Sequence, residues 1–290
     1  MNIRQAVRAG MFYDSSPTSC RNHAERLIAS APVPEGLPQR LYGGIVPHAG
    51  WVFSGAVAAK TLRALLAGGG VRSLVLFGAD HTGAVRRGEV FAAGVWRTPL
   101  GDTPIDEPLA SAVLAAGDCC RANPDAHAAE HSLEVQIPMI QVLAPEVKIV
   151  PIAVPPTDLA VKVGEAVAKA IGDRAEAVCI VGSTDLSHHG GHFPAPGGRG
   201  DVGEKWTRAN DRRMLDLIEA MDADAVVPEA DEHMNACGAG AVAATVAACK
   251  ALGARKGISL AYTNSYTIVH EKYPHELDDT TVGYASVVFI

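Results

Sequence analysis

The sequence predicts an α/β fold: a single domain over residues 1–290, built on a central mixed, mainly parallel β-sheet flanked by helices on both faces. Three observations lead there. Apolar strand-like runs alternate with helical segments along almost the whole chain, the pattern of crossovers onto a parallel sheet. The last two strand-like runs are joined without a helix, so they can pair antiparallel and make the sheet mixed. No composition shift or linker divides the chain, whose 48% hydrophobic and 20% charged residues are those of an ordinary globular domain.

The elements follow in order. LYGGIVP (41–47) is strand-like, and SGAVAAKTLRALLAG (54–68) is a helix closed by glycines. SLVLFG (73–78) is a continuous apolar strand, and EVFAAGVW (89–96) is read as another. DEPLASAVLAAG (106–117) is helical, as is HSLEVQIPMIQVLA (131–144), which Pro138 is expected to bend. KIVPIAV (148–154) and AVCIVGS (177–183) are strands on either side of the helix 158–172. Helices are expected over 206–221 and 237–253, and ISLAYTNS (258–265) and VGYASVVFI (282–290) close the chain as strands. FPAPGGRGDVG (193–203) reads as a flexible excursion.

A formal charge of −7 with no basic run argues against nucleic acid or an anionic membrane as partner. No stretch approaches the roughly 20 apolar residues of a membrane span. The N-terminus lacks the apolar core of a signal peptide, and the six cysteines show no CxxC or disulfide spacing. A reduced, cytoplasmic protein is expected.

Ligands of open α/β sheets bind outside the carboxyl ends of the strands. Three such ends deliver histidine: His48 in PHAG, His81 in GADH, and His188 with His189 in VGSTDLSHHGGH, which also carries Asp185. One loop histidine alone is more often a surface residue. Three at equivalent places argue for a shared metal or catalytic site. Gly190 and Gly191 are expected to turn one imidazole of the pair inward and leave the other near solvent. Cys237 stands where a helix begins, an environment that lowers a thiol pKa, although a small apolar role there is equally open. His131 and Glu134 are three apart, and a pocket role for His131 stands beside a structural one; Glu130 and Glu134 read as acids favoured at a solvated helix start. His23, His127, His192, His233, His270 and His275 carry no functional reading. No GxxxxGK[ST], HExxH or GxSxG motif is present, which turns attention to a histidine-rich metal centre.

PHAGWVFSG, GADH, EHSLEVQIP, STDLSHHG and NACGAGA, in this order, resemble the Memo family, from AGMFY near the N-terminus to VGYAS near the C-terminus. The resemblance implies the fold of class III extradiol ring-cleavage dioxygenases, which use non-haem Fe(II). It places metal ligands on His48, His81 and Cys237, an acid/base histidine on His188, and pocket residues on Asp185 and His131. It also implies a functional link to a radical-SAM protein. Where the family commonly reads GPSHH, this chain has GADHT, which sets Asp80 beside His81. A cysteine in place of the usual third carboxylate suits copper or zinc as well as iron.

Two functions of different class are therefore expected. One is a metal-dependent, dioxygenase-like oxidoreductase acting on a small, aromatic molecule through His48, His81, Cys237 and His188. The other is a non-catalytic metal- or peptide-binding protein. The family's association with phosphotyrosine peptides sits poorly with a chain of net charge −7 and no basic cluster.

Overall fold

The structure is a computed structural model that describes residues 2–275 and 277–290. The chain opens with β1 (Ile3–Arg4), α1 (Pro17–Ala29), β2 (Gly43–Val46), α2 (Trp51–Leu66) and β3 (Ser73–Gly78). It continues through β4 (Gly88–Val90), β5 (Val95–Thr98), β6 (Gly101–Pro104), α3 (Glu107–Ala115) and β7 (Cys120–Ala122). Two short 3₁₀ turns, Pro124–His127 and Glu134–Gln136, lead into α4 (Ile137–Leu143), β8 (Lys148–Ala153) and α5 (Leu159–Ile171). After a 3₁₀ turn over Gly172–Ala177 come β9 (Val178–Ser183), β10 (His188–His189), α6 (Gly200–Glu219), α7 (Ala223–His233) and α8 (Ala239–Ala251). β11 (Gly257–Asn264), α9 (Ser265–Lys272) and β12 (Thr281–Phe289) complete it.

Among the described residues, nine strands form one sheet in the order β10-β12-β2-β9-β3-β8-β4-β7, with β11 also on β12. The centre, β2-β9-β3-β8, is parallel, while β12 joins β2, β10 and β11 antiparallel. The expected mixed, mainly parallel sheet is thus realised. β1, β5 and β6 make a separate small sheet. α2 packs against β2 and β12 on one face, with α1 and α4 packed on it; on the other, α8 packs against β3 and β9, with α5 packed on α8 and β4. α8 is built mostly of small residues and is buried along nearly its whole length, because it lies between the sheet, α5 and α7. Two glycines make that sandwich possible. A Cβ on Gly164 would lie 2.2 Å from the Ala244 carbonyl, and one on Gly182 would lie 2.2 Å from the Thr245 hydroxyl.

Several elements differ from the sequence reading. The run 89–96 is two strands in two sheets, because Gly94, at φ 102°, turns the chain between them. Only 137–143 of the expected helix 131–144 is α-helical, and Pro138 lies in its first turn, where a missing N–H is harmless. It starts that helix and bends nothing. α6 begins at Gly200, inside the stretch read as an excursion. Helices α1, α7 and α9 had no counterpart in the reading, α7 carrying Pro228 within it. α8 begins two residues after Cys237. No helix among the described residues is long and apolar enough to cross a membrane.

Candidate metal centre

β2, β3 and β9 run parallel and side by side, so the residues that follow them open on one rim. His48 follows β2, His81 follows β3 and Asp185 follows β9. Cys237 comes from the link between α7 and α8, and its backbone N–H donates to the Asp185 carbonyl at 3.2 Å. One ligand atom from each of His48, His81 and Cys237 lies within 4.8 Å of the others, an arrangement that could hold a metal ion. Cys237 Sγ is 3.2 Å from His48 Nε2, and the two imidazoles stand nearly perpendicular with centroids 5.1 Å apart.

Hydrogen bonds fix which nitrogen each ring presents. The Ser183 hydroxyl spends its proton on the Ser132 carbonyl at 2.7 Å, so it can only accept at 3.0 Å from His48 Nδ1–H. That leaves Nε2 as the lone-pair atom facing Cys237. His81 Nδ1 lies 3.0 Å from the Glu130 carboxylate, which also accepts the His81 backbone N–H at 2.8 Å. Donation from Nδ1 leaves His81 Nε2 for a ligand bond. The donor set, two oriented imidazoles and a thiol, fits a transition-metal ion.

The segment 130–136 laces these loops together, which is why it is not a continuous helix. The Ser132 hydroxyl accepts from the Ala79 N–H at 3.0 Å, the Val135 carbonyl from Trp51 Nε1 at 2.9 Å, and Gln136 Nε2 donates to the Pro47 carbonyl at 2.7 Å. Both glutamates of EHSLE are buried, contrary to the solvated reading. Glu130 orients His81, a role that the sequence reading missed, as it missed that of Ser183. The only signals were an acid flanking the histidine of EHS and a hydroxyl on the last residue of an apolar strand.

The titrating groups respond to this crowding. Burial, and then the charges of His81 and His131, hold His48 well below the usual imidazole range. Burial also pulls His81 down, but the Glu130 hydrogen bond and charge outweigh it and leave His81 raised. Glu130 is held well below its ordinary value, the His81 bond overcoming burial. Burial lowers His131 to about 4, helped by His81. For Cys237 burial, then the Asp185 charge, pushes the thiol up, so the expected lowering by a helix start fails. Cys237 lies outside the helix, and desolvation dominates.

The remaining candidates fall as follows. Asp185 is buried and accepts from the backbone N–H of His48 at 2.7 Å and of Ala49 at 3.3 Å; burial raises its pKa to about 7. His131 stacks on His81 with centroids 4.7 Å apart and, with Glu130, forms a second possible ligand group around His81. His188 Nδ1 lies 3.0 Å from the Leu186 carbonyl, and burial lowers its pKa. His189, expected near solvent, is instead buried: it pairs with Thr281 in β10 and its ring lies against Trp206. Asp80 accepts from Ala84 and Val85 and closes its own loop rather than joining the cluster.

His48, His81, His131, Asp185 and His188 all line a cavity of about 930 Å³. Aromatic rings of Phe12, Phe53, Phe193 and Tyr284 form much of its wall, and no Lys or Arg is among its described lining residues.

A family model described as Memo-like protein matches residues 4–288. A MEMO1 family protein of Methanothermobacter thermautotrophicus is 34% identical over 98% of this chain and 99% of its own length. Similar proteins, also named MEMO1 family proteins, come from Methanopyrus kandleri (32%, over 99% of this chain and 98% of the relative) and Pyrococcus abyssi (33%, over 99% of each).

Proposed function

The chain belongs to the Memo family, and from that premise and the geometry of the rim we propose that it is a metal-dependent, dioxygenase-like oxidoreductase acting on a small aromatic molecule. His48, His81 and Cys237 would hold the metal, with non-haem iron as the ion of choice and copper or zinc as the alternatives. The observation that carries this reading is the tautomer arithmetic: both imidazoles spend Nδ1 on an oxygen acceptor and keep Nε2 for the cluster. The thiol supports it too. A buried Cys237 has no reason to ionise by itself, but a coordinating thiol is deprotonated by the ion it binds.

Ferrous iron, held there by His48, His81 and Cys237, would supply a redox-active Lewis acid. The chain's own residues do the rest. Asp185 holds the His48 loop through two backbone N–H groups, and Glu130 holds the His81 ring. His188 donates Nδ1–H to the Leu186 carbonyl, which leaves Nε2 on the cavity side of the chemistry to take a proton from a bound hydroxyl and return it. Burial keeps that ring neutral and able to act as a base. The aromatic wall suits a flat ring. A wall without Lys or Arg speaks against a phosphopeptide as ligand.

Elemental analysis of protein purified without added metal tests the reading, together with oxygen consumption against a panel of catechols. Stoichiometric iron and ring-dependent oxygen uptake are expected. Protein that takes up no transition metal overturns it.

A further inference from the structure

The same cavity holds a second polar station that the metal chemistry does not use. His23 on α1 and Asp14 in the loop before it both line the wall, with His23 Nδ1 2.8 Å from Asp14 Oδ2. The ring is also held edge-on against Trp51, centroids 5.3 Å apart. A carboxylate on Nδ1 selects the tautomer that carries its proton there, so Nε2 of the neutral ring is a lone-pair acceptor. No hydrogen-bond partner for that Nε2 occurs among the described residues, and the Asp14 side chain remains 38% exposed. The wall carries the carboxylates of Asp14, Asp185 and Asp278 and no described Lys or Arg. A fixed acceptor backed by a carboxylate, in a wall without described Lys or Arg, is built to take a hydrogen-bond donor that bears positive charge.

We propose that His23 and Asp14 form a binding dyad for a protonated amine on the non-reacting end of an aromatic ligand. This rests on the reading of the cavity as the substrate site. The ligand's N–H donates to His23 Nε2 while Asp14 faces its charge, and its ring lies among Phe12, Phe53 and Phe193.

The test compares tyramine with 4-propylphenol, which has a methyl group where tyramine has its ammonium, by calorimetry on the protein as purified. Charged hydrogen bonds of this kind are worth about tenfold or more in affinity. Tyramine is expected to bind at least about tenfold more tightly. Asp14→Asn and His23→Gln should each bring the ratio toward one with metal content and circular dichroism unchanged. Equal affinities in the parent, no binding of either compound, or an undiminished ratio in both variants overturns the dyad. Protein that lacks metal yet keeps the tyramine preference would sink the oxidoreductase reading and leave the dyad standing. Protein that holds iron without the preference does the reverse.

Discussion

Glu130 and Glu134 lie four residues apart in one segment, are equally buried, and do opposite work. The Glu130 carboxylate takes the N–H groups of His81, His131 and Ser132 and the ring nitrogen of His81. Glu134 takes Arg4, the N–H groups of Val7 and Arg8, and the Tyr13 hydroxyl at 2.7 Å. One carboxylate shapes the rim of the sheet, and the other pins the N-terminal arm to the body. Their difference teaches that a buried acid is defined by what donates to it. A metal-site carboxylate and a fold-holding carboxylate can look identical in sequence.

The largest test removes the fold-holding partner. Glu134→Ala would leave the Arg4 guanidinium buried beside Trp96 with only carbonyls to bond, and three further donors unpaired. Breaking a buried pair from one side typically costs about 3–5 kcal/mol. Urea denaturation should show a loss of that size, while metal bound per folded chain stays the same. A loss under about 1 kcal/mol would mean that the arm is held by something else.

His127 belongs to the same fold-holding side and gives a pH test. It is fully buried, its Nε2–H donates to the Glu89 carbonyl at 2.8 Å, and burial lowers its pKa to about 4. Between pH 6.5 and about 4 the unfolded chain takes up a proton that the folded ring refuses, so stability falls as the pH falls through that window. At about 1.4 kcal/mol per pH unit, the effect approaches about 3 kcal/mol. His127→Leu should flatten that part of the stability profile. An unchanged acid slope in the variant would refute the assignment.

Glu130→Gln acts on the other member of the comparison. The amide has one acceptor oxygen, so it can serve either the His81 N–H or the donors gathered on the other oxygen, the His131 and Ser132 N–H groups and the His81 ring, and it loses the charge behind His81. Partners of this kind typically tune metal affinity by about 10–100-fold. Competition with a chromophoric chelator should show that weakening, with a smaller stability loss than Glu134→Ala gives. If the stability losses are equal, the division between the two glutamates is wrong.

What was legible from sequence follows the same line. His48, His81 and Asp185 were placed because a parallel sheet brings successive strand ends to one edge, and that rule needs only the order of apolar runs. Cys237 was placed two residues too far into its helix, which misjudged its thiol. The segment 130–136 was misread because its partners are far off in sequence: Glu134 meets Arg4 130 positions away, and Glu130 meets His81 49 away. An acid near a helix start and an acid buried under a loop leave the same local signature. α7 carries Pro228 within it, which a tertiary setting tolerates where propensity would break the helix.

The smallest predicted effect comes from a buried polar side chain that lacks what both glutamates have. His189 is 1% exposed, and neither ring nitrogen has a hydrogen-bond partner among the described residues. Its ring lies tilted on Trp206 with centroids 5.0 Å apart, and Gly203 gives it room, since a Cβ there would come 2.7 Å from the ring. Leaving a buried polar group unpaired costs about 1–3 kcal/mol, while an aromatic contact returns about 0.5–1.5 kcal/mol. His189→Leu removes both terms, so its stability should lie within about 1 kcal/mol of the parent, with metal content unchanged. The neighbouring His188→Ala should also keep fold and metal, yet lose about 10²–10⁴-fold in turnover if His188 moves the proton. A destabilisation above about 2 kcal/mol in His189→Leu would show that the imidazole has a partner, such as an ordered water between it and Asp279. The pair HisHis would then be polar on both sides of the strand, and the contrast between a satisfied acid and an unsatisfied imidazole would rest on the glutamates alone.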